Sequence, residues 1–248
     1  MSSVIELEGV TKRYTVEDLA GAGLKNLLVR PRRTFRRWRG ARQHTALEGV
    51  SLAVGRGECL GVVGRNGSGK STLLGLVAGV LRPDAGRVLV RGRICPLLEL
   101  GAGFHPELSG IENAILNGVL LGLSRREVVA RLDRILEFSE IGDFVDRPLR
   151  MYSSGMVARL GFSVAVHVDP DVLLMDEVLA VGDERFRAKC AAKMAEFRER
   201  GVTMFFVSHA METVLKVCTR VAWLNAGKIE VVGEPEAVVQ RYRETTLA

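Results

Sequence analysis

Several things are scarce or missing in this chain, and each narrows the reading. Cysteine is scarce: Cys59, Cys95, Cys190 and Cys218 are scattered through 248 residues with no C-x-x-C pair. That spacing is not a disulfide framework and predicts reduced, mostly buried thiols. No apolar run approaches the roughly 18 residues that a membrane-spanning helix needs. The first residues, Met1-Ser2-Ser3-Val4-Ile5-Glu6, lack the basic start and apolar centre of a signal peptide, which points to a chain made and kept in the cytosol. There is no internal repeat and no low-complexity tract.

The last absence is local. From Leu19 to Leu47 there is no acidic residue, while Lys25, Arg30, Arg32, Arg33, Arg36, Arg37, Arg39 and Arg42 are interleaved with Leu24, Leu27, Leu28, Phe35 and Trp38. A solvated basic loop has this composition. So does a surface that meets anionic lipid headgroups or a membrane partner, each Lys or Arg near such a surface contributing about 1 kcal/mol. The net charge of +6 also suits nucleic acid, but no zinc-finger or basic-zipper pattern accompanies it.

What is present centres on Gly64-Arg65-Asn66-Gly67-Ser68-Gly69-Lys70-Ser71, followed by Thr72. The stretch fits G-x-x-x-x-G-K-[ST], between an apolar strand (Cys59 to Val63) and a helical pattern (Thr72 to Ala78). Glycines let the backbone curl with its N–H groups inward, and a helix N-terminus adds positive potential. Lys70 is placed for the β- and γ-phosphates of a nucleotide, and the Ser71 hydroxyl for Mg²⁺. Downstream, Asp171-Val172-Leu173-Leu174-Met175-Asp176-Glu177 is an apolar strand ending in two carboxylates. Asp176 suits the metal, and Glu177 suits an attacking water.

With 47% hydrophobic residues, a packed core is expected. Strand patterns cover Val4 to Gly9, Val50 to Val54, Arg87 to Ile94, Val202 to Val207, and a hairpin formed by Val221 to Leu224 and Lys228 to Val232. From Cys95 to about Arg150 the pattern turns helical, opened by the capping boxes Ser109…Glu112 and Ser124…Glu127. Asp183 to Arg200 reads as a helix burying Phe186, Cys190, Met194 and Phe197, with Gly201 past its end. Pro235 to Arg243 suits a closing helix.

With these motifs in order, the chain resembles the ATP-binding cassette (ABC) ATPases over essentially its whole length. Tyr152-Ser153-Ser154-Gly155-Met156, followed by Val157-Ala158-Arg159-Leu160, matches the family's signature motif. Tyr14 matches the aromatic residue that stacks on adenine, Asp183 the D-loop aspartate, and His209 the switch histidine at the γ-phosphate. The resemblance implies an α/β P-loop NTPase (RecA-like) core with an antiparallel β subdomain and an inserted helical subdomain. It implies one nucleotide-binding domain over residues 1–248, the helical part at about 96–160 and a basic insertion at 15–45. It further implies ATP and Mg²⁺ as ligands and a homodimer in which Ser153, Ser154 and Gly155 of one chain close on ATP held by the other.

Tyr-Ser-Ser-Gly-Met, Asp176 to Asp183 and Leu98 to Glu107 are similar to the ATP-binding subunits of polysaccharide exporters, with Val178 where other subfamilies carry proline. That narrower resemblance implies a lipid-linked polysaccharide as cargo, an integral-membrane permease dimer as partner, and a peripheral position on the cytoplasmic face of the inner membrane. The Leu-Ala-Gly-Ala-Gly-Leu stretch at 19–24 would face the membrane gate. Nucleic acid is not expected as a partner; a soluble ABC ATPase acting on nucleic acid or ribosomes is the rival reading. One position departs from the family: no glutamine stands between Gln43 and Gln240, and Glu99 is the candidate metal ligand in its place. Some polysaccharide ATPases carry a further C-terminal glycan-binding domain, for which the residues up to Ala248 leave no room; the expectation is either that substrate selection lies in the membrane partner or that this sequence is part of a longer chain.

Overall fold

A computed structural model describes residues 3–15, 43–97, 100–176 and 182–247. The basic stretch at 16–42, Glu99 and Glu177 lie outside the described residues.

The N-terminal third builds a small antiparallel sheet. Strand β1 (Ser3–Thr15) lies between β2 (Gln43–Gly55) and β4 (Ala85–Val90). Val4, Ile5, Leu7 and Val10 of β1 are buried together with Leu47, Val50, Leu52 and Val54 of β2. The main sheet has six strands: β3 (Cys59–Val63), β5 (Ile94–Leu97), β6 (Val172–Asp176), β7 (Thr203–Val207), β8 (Arg220–Asn225) and β9 (Lys228–Gly233). Their order is β5-β6-β7-β3-β8-β9. All neighbours run parallel except β9, which is antiparallel to β8. β3 and β7 are buried along their whole length, as strands covered on both faces must be.

Successive residues of these strands serve different cores. Cys59, Leu173, Met175, Met204, Phe206 and Trp223 point to one side. Leu60, Val62, Leu174, Phe205, Val207 and Leu224 point to the other. This is the two-residue period of a strand. The second side is covered by helix α1 (Lys70–Val77), through Leu73, Leu74, Leu76 and Val77, and by the small sheet.

The first side is covered by helices. α2 (Gly110–Leu120) and α3 (Arg125–Ser139) both begin with a complete reciprocal capping box, Ser109 with Glu112 and Ser124 with Glu127. Two short 3₁₀ turns, Gly142–Asp146 and Leu149–Met151, lead into α4 (Ser154–Val166). α5 (Glu184–Glu199) buries Phe186, Cys190, Met194 and Phe197, the face that the sequence predicts. α6 (Met211–Val217) and α7 (Pro235–Leu247) complete the chain. All four cysteines are free and buried.

The architecture is the expected one, with four local differences. The single strand expected from Arg87 to Ile94 is two strands in two sheets. Asp171 divides them: its carboxylate accepts the Arg93 N–H at 2.8 Å and turns the chain from the small sheet into the large one. Cys95, expected where the helical pattern starts, is instead central to β5 and pairs with Leu173. α6 had no counterpart in the sequence reading, and α7 runs past the expected end at Arg243.

Candidate nucleotide site

The P-loop is held open by close backbone packing. A Cβ on Gly64 would lie 2.2 Å from the Leu224 carbonyl oxygen and 2.7 Å from Ser68 Oγ, so only glycine fits. Gly69, with φ of 106°, precedes α1, which has no side-chain cap and no acidic residue in its first turn. The first N–H groups of a helix have no intrahelical partner. Here nothing local neutralises them, and that favours an anion. Lys70 Nζ donates to the carbonyls of Gly64 (2.8 Å) and Arg65 (3.0 Å), folding back over the loop. Ser68 Oγ is buried with no hydrogen-bond partner. Arg65, Asn66, Gly67 and Ser71 are exposed, and Thr72 is half-buried. An uncapped helix start, an orphaned hydroxyl and a lysine spanning the loop fit a nucleotide's phosphates.

Sheet register brings the other candidates to the same edge. Val62 of β3 and Asp176 of β6 both align with Val207 of β7. Asp176 therefore lies two strands from the P-loop strand, roughly 10 Å at the usual spacing. His209, exposed, follows two residues after Val207; the intervening Ser208 N–H donates to the Val62 carbonyl at 3.2 Å. The P-loop, Asp176 and His209 thus share the carboxyl ends of adjacent parallel strands, where ligands of open α/β sheets bind.

Tyr14 closes a third side. Its hydroxyl lies 3.5 Å from Thr72 Oγ1, and the Lys12 ammonium is 5.6 Å from its ring centroid. The strand end is clamped by Asp84, a residue that sequence reasoning passed over. Its carboxylate accepts from Arg13 N–H at 2.6 Å and Lys12 Nζ at 3.2 Å. The Arg13 N–H, more than the Lys12 charge, holds the Asp84 carboxyl below its ordinary range.

The signature turn lies elsewhere, on α4, which packs against α2, α3 and β5, whereas α1 packs against β2, β4 and β7. Ser153 is the N-cap, its Oγ accepting from Met156 N–H at 3.2 Å. Ser154 is exposed, and the space before Gly155 is open apart from Ser153 Oγ at 3.8 Å. Tyr152 anchors the turn by donating to the Phe144 carbonyl at 2.6 Å. Like the P-loop, this is a helix start with spare N–H groups. Asp183 caps α5 through Phe186 N–H (2.9 Å) and also accepts from Arg159 (2.8 Å) on the signature helix. Arg159 is a second residue whose role the sequence did not announce. Glu177 and Glu99 fall outside the described residues, so their placement stays a sequence expectation. No group of His, Cys, Asp and Glu among the described residues forms a metal cluster; Ser71 and Asp176 are the described candidates for Mg²⁺.

Comparison with known proteins identifies the family. The ABC transporter family model matches residues 47–180. The chain is 51% identical to the O-antigen export system ATP-binding protein RfbB of Klebsiella pneumoniae, over 98% of this chain and 99% of that one. It is 42% identical to the teichoic acids export ATP-binding protein TagH of Bacillus cereus, over 98% of this chain but 43% of that protein. A solved dimeric ATP-binding cassette in a post-hydrolysis state with ADP and Pi superimposes with a TM-score of 0.70 at 21% identity, over 93% of this chain and 98% of that one. With a family match over more than half its length and a relative matched end to end, the chain belongs to the ABC transporter family.

Proposed function

We propose that this chain is the ATP-hydrolysing subunit of an ABC exporter that moves a lipid-linked polysaccharide across the cytoplasmic membrane. One observation carries the mechanism. The chain holds two phosphate-suited helix starts on separate parts of the fold, at Lys70 and at Ser154, and the P-loop, Asp176 and His209 share a rim with only the first. Two copies placed head to tail give each nucleotide both. The superimposed dimeric cassette supports such an arrangement, and the O-antigen and teichoic acid relatives support the cargo class.

In this reading the P-loop from Gly64 to Thr72 binds the phosphates of ATP, with Lys70 and the spare N–H groups of α1 as the principal donors. Tyr14 supports the adenine. Ser71, Asp176 and Glu99 hold Mg²⁺, which when bound neutralises charge on the β- and γ-phosphate oxygens. Glu177 positions the attacking water, and His209 donates toward the γ-phosphate. Ser153, Ser154 and Gly155 of one copy complete the site of the other, and Asp183 lies between. Among the described residues no helix is long and apolar enough to cross a membrane; the transport path is assigned to a permease dimer, with this chain peripheral on its cytoplasmic side.

The test is made in cells. Depletion of this chain is expected to accumulate a lipid-linked glycan on the cytoplasmic side and remove the polymer from the surface, as read by extraction of the membrane lipids. Unchanged surface polymer would contradict the export reading.

A further inference from the structure

Tyr152, the residue before the N-cap of the signature turn, seats its hydroxyl between the first 3₁₀ turn and the start of α2. The hydroxyl donates to the Phe144 carbonyl at 2.6 Å, and the two rings meet edge-on with centroids 6.2 Å apart. Gly110, the first residue of α2, leaves the slot that the hydroxyl fills. A Cβ on Gly110 would lie 2.1 Å from the hydroxyl oxygen and 3.0 Å from the Val145 carbonyl oxygen. Gly110 is buried, and its N–H faces the same hydroxyl oxygen. Burial first, and then the Asp146 carboxylate, push the phenol above its ordinary value. It therefore keeps its proton, and its capacity to donate, throughout the neutral range.

The slot belongs to a fixed platform. Asn113, fully buried one turn into α2, accepts from the His105 N–H at 2.7 Å. Its amide nitrogen lies 2.9 to 3.0 Å from the carbonyls of His105, Leu108 and Ser109. That same stretch pairs with the segment leading to the signature turn. Leu149 N–H donates to the Leu108 carbonyl and Arg150 N–H to the Pro106 carbonyl, both at 2.9 Å. The turn itself touches little: Ser153 and Ser154 are exposed, and a Cβ on Gly155 would meet nothing nearer than Ser153 Oγ at 3.8 Å. Its place is therefore set where the chain enters it, at Tyr152.

We propose that Tyr152 is a positioning residue for ATP turnover: its hydroxyl, seated in the slot at Gly110, sets where the helix start at Ser153 to Gly155 meets the nucleotide held by a second chain. This rests on the head-to-tail reading above. The pull of a helix start on an anion falls off within one turn. A misplacement of about 1 Å at a reacting site can cost about 100-fold in rate. A hydroxyl that fixes the entry to the turn therefore acts on turnover more than on the fold.

The experiment uses the purified full chain and compares the parent with Tyr152→Phe, Gly110→Ala, the Tyr152→Phe/Gly110→Ala pair and Val128→Ala. Val128 is a fully buried residue of α3 that packs against Gly118, toward the other end of α2. Thermal melting, ATP affinity at low protein concentration, and kcat well below the melt are read for each. Tyr152→Phe keeps the ring and removes the hydroxyl. It is expected to lower kcat about 100-fold and melting by only about 2–4 °C. ATP affinity, set by the P-loop of the same chain, should stay that of the parent. Gly110→Ala pushes the hydroxyl out of its slot and should lower kcat to a similar degree. Without the hydroxyl the added methyl has room, so the pair should lose no more than the worse single variant. Val128→Ala should lower melting at least as much as Tyr152→Phe yet keep the parent's kcat, because well below the melt nearly every molecule is folded. Parent-like kcat in Tyr152→Phe overturns the inference. So do an equal loss of kcat in Val128→Ala, additive losses in the pair, or a fall in affinity as large as the fall in kcat. If Gly110→Ala does not fold, Tyr152→Phe and Val128→Ala decide by the same criteria. A parent that hydrolyses no ATP overturns the functional reading itself; an active parent with an equally active Tyr152→Phe overturns the role of Tyr152 alone.

Discussion

Lys70→Ala is expected to lower ATP turnover about 10³-fold, the scale on which removal of one preorganised donor to a developing charge is felt. Lys70 Nζ reaches the Gly64 and Arg65 carbonyls at 2.8 and 3.0 Å. It therefore stands over the loop on the side from which an anion would be met. Truncation leaves the carbonyl of Arg65, an exposed residue, able to find water, takes one donor from the carbonyl of buried Gly64, and opens no cavity in either core. The fold should accordingly lose about 1 kcal/mol, the scale of one hydrogen bond. A large kinetic effect with a small stability effect distinguishes a phosphate-binding lysine from a structural one. Steady-state turnover and a thermal melt of the same preparation check both halves, and turnover within a few-fold of the parent contradicts the assignment.

Gly64→Ala is expected to do the opposite: to fail through packing. The added methyl would lie 2.2 Å from the Leu224 carbonyl oxygen and 2.7 Å from Ser68 Oγ. Leu224 belongs to β8, which is paired to β3 through Val63 and Trp223, so the backbone on that side cannot withdraw without parting the sheet. The P-loop must move instead. Overpacking of this kind costs about 1–3 kcal/mol, and each kcal/mol lowers the melting temperature by roughly 2–4 °C in a chain of this size. Nucleotide binding should be lost along with it, because the displaced loop no longer presents its N–H groups together. A variant that melts and binds ATP like the parent would show that the contact is relieved cheaply.

These two residues were legible in the sequence because the P-loop is contiguous: eight consecutive residues between a strand and a helix carry the whole chemical demand. The caps of α2 and α3 were legible for the same reason, since Ser109 and Glu112 meet within a single turn. The buried face of α5 followed from spacing along one helix. What stayed hidden depends on distant partners. The Arg87 to Ile94 run looks like one strand, and only Asp171, brought alongside by β6, decides where it divides. Asp84 clamps the Tyr14 strand across 71 residues, and Arg159 meets Asp183 across 24. Neither belongs to a local pattern. α6 is a seven-residue helix, too short for its periodicity to stand out. The assignment of ATP-binding subunit rests on residues that were legible.

The most direct test of the account is whether two chains close one site between them. Arg65, in the P-loop, and Ser154, in the signature turn, are both exposed, and the native cysteines are buried. Arg65→Cys and Ser154→Cys are placed in a Glu177→Gln background, which the proposed role of Glu177 predicts will slow hydrolysis, and treated with a short bis-maleimide. The account predicts a covalent dimer that forms with Mg²⁺ and ATP, is nearly absent without nucleotide, and disappears when Lys70→Ala is added. A cross-link that forms equally well without ATP, or only within one chain, would contradict it.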